Sequence, residues 1–123
     1  MLMTADYRIG AAGKFKLGLN EVAIGMSMPR FGVEIARARL DPAHFELSVN
    51  CAHLYDAEDA VEAGYLDEAV DAGQVMYRSI AKAEQFSALN MQAHKNTKDR
   101  VRGPLYRALD EAMAQDFAEG GGL

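Results

Sequence analysis

Apolar and polar positions alternate twice near the start of the chain. Tyr7, Ile9 and Ala11 are separated by Arg8 and Gly10; Phe15, Leu17 and Leu19 are separated by Lys16 and Gly18. A period of two predicts strands, and Ala12-Gly13 between them supplies a turn. Beyond Gly25 the period lengthens. Pro29 opens a segment in which Phe31, Val33, Ile35, Ala36 and Leu40 suit one short helix. Asp41-Pro42 is a second start signal, a capping carboxylate followed by a residue with no N–H to leave unpaired. The stretch from Asp56 to Gly64 reads as a complete small helix. Asp56 caps it, Asp59 adds to an acidic first turn, and Gly64 can take the left-handed conformation that ends it. Leu54, Ala57, Ala60 and Val61 give it a buried side, and residues 65–70 then read as extended.

From about Gln74 the pattern is helical, with Val75, Met76, Ile80, Ala83, Phe86 and Leu89 at helical spacing. Asn90 suits the cap of a further helix ending near Gly103, because proline breaks or kinks a helix that runs through it. Pro104 then starts a last helix, with Leu105, Leu109, Ala112, Met113 and Phe117 in one apolar stripe. The end, 119–123, reads as a frayed glycine-rich tail. Few and short strands make a poor sheet with open edges. The elements therefore predict an α/β unit that is the second half of a larger fold.

Composition narrows the options. The chain has 123 residues, half of them apolar or aromatic, enough for a single core. No run reaches the roughly 18–20 apolar residues of a membrane span, and no basic-then-apolar leader opens the sequence. A single cysteine, Cys51, excludes an internal disulfide, fits a cytoplasmic location and reads as a small buried apolar residue. His44, His53 and His94 lack ligand-like spacing, so no metal site is expected. A net charge of −5 argues against nucleic acid as a partner. Residues 41–77 hold nine acids and no Lys or Arg, whereas 78–107 hold seven basic residues against Glu84 and Asp99. Both blocks read as solvated faces, the second with the option of meeting phosphates.

Three phrases in order carry a family resemblance. Asp6-Tyr7-Arg8-Ile9, Phe15 to Gly25 (FKLGLNEVAIG), and Ala57 to Val70 (AEDAVEAGYLDEAV) resemble the crotonase superfamily, the enoyl-coenzyme A hydratases and isomerases. A helix containing Asn96-Thr97-Lys98 follows. The resemblance covers nearly the whole chain but only the C-terminal half of the family's domain. It implies a crotonase-like ββα spiral whose end is residues 1–71, with short strands near 6–19 and 65–70. Residues 72–123 then form the C-terminal helical region of the same structural unit.

The resemblance places Glu21 on the family's carboxylate that faces the acyl thioester. Leu19-Asn20 before it is closer in style to the isomerases, in which one Glu moves a proton between two carbons of the acyl chain. The hydratases' second Glu would fall one position before Met1. A proton next to a thioester carbonyl needs a positioned base, and the oxygen that gains charge needs donors. An acid set among Leu19, Val22, Ile24, Met26 and Met28 would be desolvated, which makes a carboxylate a stronger base. The family's two oxyanion donors and most of its coenzyme A pocket lie in segments before this chain. The isolated chain is therefore expected to be inactive.

Met26-Ser-Met-Pro-Arg-Phe31 replaces the glycine-rich phrase that often follows the Glu, so acyl preference is not readable. Met26, Met28 and Phe31 line an acyl pocket or simply pack the core. Lys98 is either a contact to a coenzyme A phosphate or a solvated lysine. No cofactor is expected beyond the coenzyme A of the substrate itself. The resemblance implies a trimer or hexamer; a further reading is a split enzyme whose N-terminal half is a separate chain. The competing reading is a non-catalytic remnant whose stripes at 75–89 and 105–117 drive self-association.

Overall fold

A computed structural model describes residues 2–120. The elements are β1 (Ile9–Ala11), α1 (Arg30–Arg39), α2 (Pro42–Val49), α3 (Ala57–Ala63), β2 (Glu68–Val70), α4 (Val75–Ser87) and α5 (Met91–Ala118). β1 and β2 pair in parallel, Ile9 opposite Glu68 and Ala11 opposite Val70. Tail residues 121–123 lie outside the described residues.

Local chemistry sets the helix starts. Asp41 accepts a hydrogen bond from the Ala43 amide (2.8 Å), Asp56 from Asp59 (2.9 Å) and Asn90 from Ala93 (2.9 Å). Each satisfies an amide that the helix itself leaves unpaired. Gly64 ends α3 with φ at 91°, and a Cβ there would stand 2.8 Å from the Arg39 carbonyl oxygen. Conformation and space both demand glycine.

The core is small and rich in alanine. Ala36, Leu40, Val49, Ala57, Ala60 and Leu66 pack around Tyr55 and Tyr65. Tyr55 is polar at its tip, and its hydroxyl meets His44 Nδ1 (3.2 Å) and Ser48 Oγ (3.1 Å), so burial leaves no orphan there. The most extensive helix pairing is α5 along α1.

Five expectations need correction. Residues 15–19 are not a strand: only Leu17 pairs, in an isolated antiparallel bridge to Tyr55, because no neighbouring strand lies alongside to extend the ladder. The alternation is present without a partner. Pro104 does not start a helix; it lies inside α5, which runs unbroken from Met91 to Ala118. Its ring is exposed, and α5 is tied down on both sides of it, by Lys98 and Arg102 to Asp6 and by Asp116 to Arg30. Those contacts offset the lost backbone hydrogen bond. Cys51 is exposed rather than buried, one residue beyond the Asn50 cap of α2, where the chain leaves the core. Leu54 and Val61 do not belong to the buried side of α3: they are 47% and 36% exposed, and the buried face is Ala57, Ala60 and Ala63. The apolar stripes of α4 and α5 stay largely uncovered, α4 having no buried residue and Met76 and Phe117 being 71% and 76% exposed.

Candidate active site

Glu21 sits where the chain reverses. Leu17 and Tyr55 exchange both backbone hydrogen bonds (2.9 and 2.8 Å), which fixes the approach to the turn. A 3-10 turn at Val22–Ile24 follows, and the Glu21 carbonyl accepts from the amides of Ile24 (3.1 Å) and Met26 (2.9 Å). Gly25, with φ at 81°, closes it. The reversal turns Val22 and Ile24 to solvent, so these sequence neighbours do not enclose the carboxylate as the apolar pattern predicts.

Other residues do. Glu21 lines a cavity of about 270 Å³ with Met3, Leu19, Met28 and Ile35. Among its lining side chains only Thr4 and Glu21 are polar. Glu21 Oε2 is buried and has no hydrogen-bond partner among the described residues. A buried acceptor without a donor normally costs on the order of 1–3 kcal/mol, so it calls for an explanation. Met26, Met28 and Phe31 line this same cavity, Met28 half-buried and the other two more exposed. Four of the five residues singled out from the sequence thus come together in one place.

Lys98 lies elsewhere. It lines an open cavity of about 490 Å³ with Arg39, His94 and Arg102. Its Nζ is 2.7 Å from Asp6, which also accepts from Arg102 at 2.8 Å. The Lys98 hydrogen bond, against an opposing effect of burial, holds the Asp6 carboxyl below its ordinary value. Arg39 donates to the Ala5 carbonyl (2.9 Å), while burial and the charges of Arg8 and Arg102 push its pKa down. These cations pin the segment 4–6 onto α1 and α5.

The pattern reading passed over the pair that anchors the sheet. Arg8 is 6% exposed, and its guanidinium grips both oxygens of Asp67 (Nε 2.9 Å, Nη2 3.1 Å) and donates to the Gly64 carbonyl. The Arg8 amide also donates to Asp67, at 2.8 Å. In the sequence Arg8 is simply the polar member of an alternation, and Asp67 lies 59 residues away. The only available signal was a charged residue inside an otherwise apolar strand.

Among the described residues, no group of three His, Cys, Asp or Glu side chains could hold a metal ion. No described helix is long and apolar enough to cross a membrane.

No family model and no curated protein matches the chain. Solved structures do. An enoyl-CoA hydratase/isomerase family protein from Pseudomonas syringae is 48% identical with a TM-score of 0.92, over 94% of this chain and 50% of that one. The apo enoyl-CoA isomerase of Mycobacterium tuberculosis is 33% identical with a TM-score of 0.91, over 96% of this chain and 52% of that one. The human mitochondrial delta3-delta2-enoyl-CoA isomerase, at 24% identity and a TM-score of 0.87, covers 95% of this chain and 46% of that one and bears on fold alone. This chain spans about half the length of each. By sequence and fold together, it carries the C-terminal half of the crotonase fold, the fold of the enoyl-CoA hydratase/isomerase family.

Proposed function

We propose that this chain supplies the base-bearing half of a site acting on acyl-CoA thioesters. Glu21 takes a proton from a carbon near the thioester carbonyl and returns it two carbons along, shifting an enoyl double bond. The observation that carries this reading is Glu21 Oε2, buried and unpartnered beside an otherwise apolar cavity. A carboxylate meant to hold the fold together is normally paired, as Asp67 is. One with a free oxygen at an apolar cavity is available to accept a proton from carbon.

Proton removal places charge on the carbonyl oxygen, and stabilising it takes aimed donors, each worth about 2.7–4 kcal/mol. In this reading those donors, and most of the coenzyme A pocket, come from the other half of the site. That half is either joined to this chain in a longer protein or carried on a separate one. Residues 2–120 alone then turn over at background.

The test is complementation. The N-terminal half of a related family protein is fused to this chain or co-expressed with it, and a 3-enoyl-CoA is supplied. Conversion to the 2-enoyl isomer, present only with the added half, supports the reading. Accumulation of a 3-hydroxyacyl product from a 2-enoyl-CoA would instead assign hydration. No turnover from a soluble, folded assembly would leave this chain as a binding or assembly module.

A further inference from the structure

The cavity beside Glu21 contains a close approach that its volume alone does not reveal. Gly32, in the first turn of α1, lines it, as does Met28 from the segment leading into that helix. The Met28 Sδ lies 2.8 Å from the point where a Cβ on Gly32 would stand, and its Cγ lies 3.6 Å away. The thioether therefore occupies the bay that the missing side chain leaves. Methionine is unbranched with three rotatable bonds, so this plug can change shape at little cost.

The rest of the lining selects the kind of ligand. Apart from Thr4 and Glu21 every side chain facing the space is apolar, so most of the contact it offers suits an apolar tail. A methylene group is about the size of a water molecule, whose share of liquid volume is about 30 Å³. At about 270 Å³ the space is equivalent to about nine methylenes.

We infer that Gly32 and Met28 together set the length of the apolar tail this cavity admits, and that the tail is a medium-length acyl chain. This rests on the reading of Glu21's cavity as an acyl site but not on Glu21 acting as a base. With alanine at position 32, the new methyl group drives the Met28 thioether into the cavity and shortens it. With alanine at position 28, the plug is removed and the cavity lengthens.

The test uses the chain itself, labelled with 13C-methyl methionine and titrated with S-acyl-pantetheine thioesters from butanoyl to dodecanoyl. The Met28 methyl resonance is expected to move on binding. Affinity is expected to rise by up to about fourfold for each added methylene, then level off near octanoyl or decanoyl. Gly32→Ala should weaken octanoyl binding by about tenfold and move the plateau to shorter tails, the loss of about two methylenes of contact. Alanine is a better helix former than glycine, so the fold should tolerate this change. Met28→Ala should move the plateau to longer tails. An unchanged length profile in both variants, or binding that leaves the Met28 methyl unmoved, overturns the inference. The length profile reads binding and the turnover assay reads proton transfer, so this inference and the assignment of Glu21 as the base can fail separately.

Discussion

Asp67 and Glu21 are both acids, and the fold treats them in opposite ways. Asp67 receives the Arg8 backbone amide and two guanidinium nitrogens, at 2.8 to 3.1 Å. Glu21 has one oxygen buried with no donor at all. The first carboxylate joins β1 to the turn before β2; removing it would leave a guanidinium that is 6% exposed without its counter-charge. The buried oxygen of the second is tied to no donor among the described residues. With Glu21 as the proposed base, the fold satisfies its structural acid fully and leaves the other bare at a cavity, so stability and chemistry fall on different residues. The two sites can therefore be broken independently.

The largest effect on stability is expected at the paired acid. Asp67→Ala should cost about 3 kcal/mol or more in a urea titration, because it leaves a buried charge unpaired. The same pair predicts a pH dependence. Burial raises the Asp67 carboxyl, but the Arg8 hydrogen bonds and charge outweigh it and hold the pKa below the ordinary 3.8. A depressed carboxyl contributes stability that is fully present above 3.8 and is lost as pH falls through the lower folded value. Unfolding midpoints followed downward from pH 5 should drop in the natural chain and fall less steeply in Asp67→Asn. A parallel decline in both would remove the pair from the explanation.

Gly64 comes next. Its carbonyl accepts from Arg8, its φ is positive, and a Cβ would press on the backbone of residues 39–41. Gly64→Ala should cost about 1–3 kcal/mol for the conformation, with the close contact adding to it. The Asp56 cap is smaller, about 1 kcal/mol for Asp56→Ala, and it should appear as fraying of α3 in amide exchange rather than as loss of the whole fold. If Asp56→Ala costs more than Asp67→Ala, the Arg8–Asp67 pair is not the anchor of the sheet.

How much of this was legible follows from the reach of each interaction. The caps of α2, α3 and α5 are readable because Asp41, Asp56 and Asn90 act on amides two or three residues ahead. Gly64 is readable for the same reason. The Arg8–Asp67 pair is not, since 59 residues separate partners whose neighbours give no hint of their meeting. Pro104 misleads because propensity says that a helix should break, while the ion pairs that hold α5 in place come from Asp6 and Arg30, far away in sequence. Of the candidate site, the grouping of Glu21, Met26, Met28 and Phe31 follows from one short loop folding back on itself. The outward turn of Val22 and Ile24 does not, because it depends on two backbone hydrogen bonds that leave no mark on side-chain pattern.

The most direct measurement pairs two readouts on Glu21→Gln in the completed assembly: turnover of a 3-enoyl-CoA and the urea midpoint. Glutamine keeps the size and hydrogen-bonding capacity of the side chain but cannot take the substrate's proton. Turnover should fall by about 10²–10⁴-fold, the usual contribution of a positioned base, while the midpoint holds or rises, since a neutral side chain replaces a desolvated carboxylate. Turnover that survives the substitution, or a midpoint that falls as far as that of Asp67→Ala, would make Glu21 a structural acid and contradict its assignment as the base.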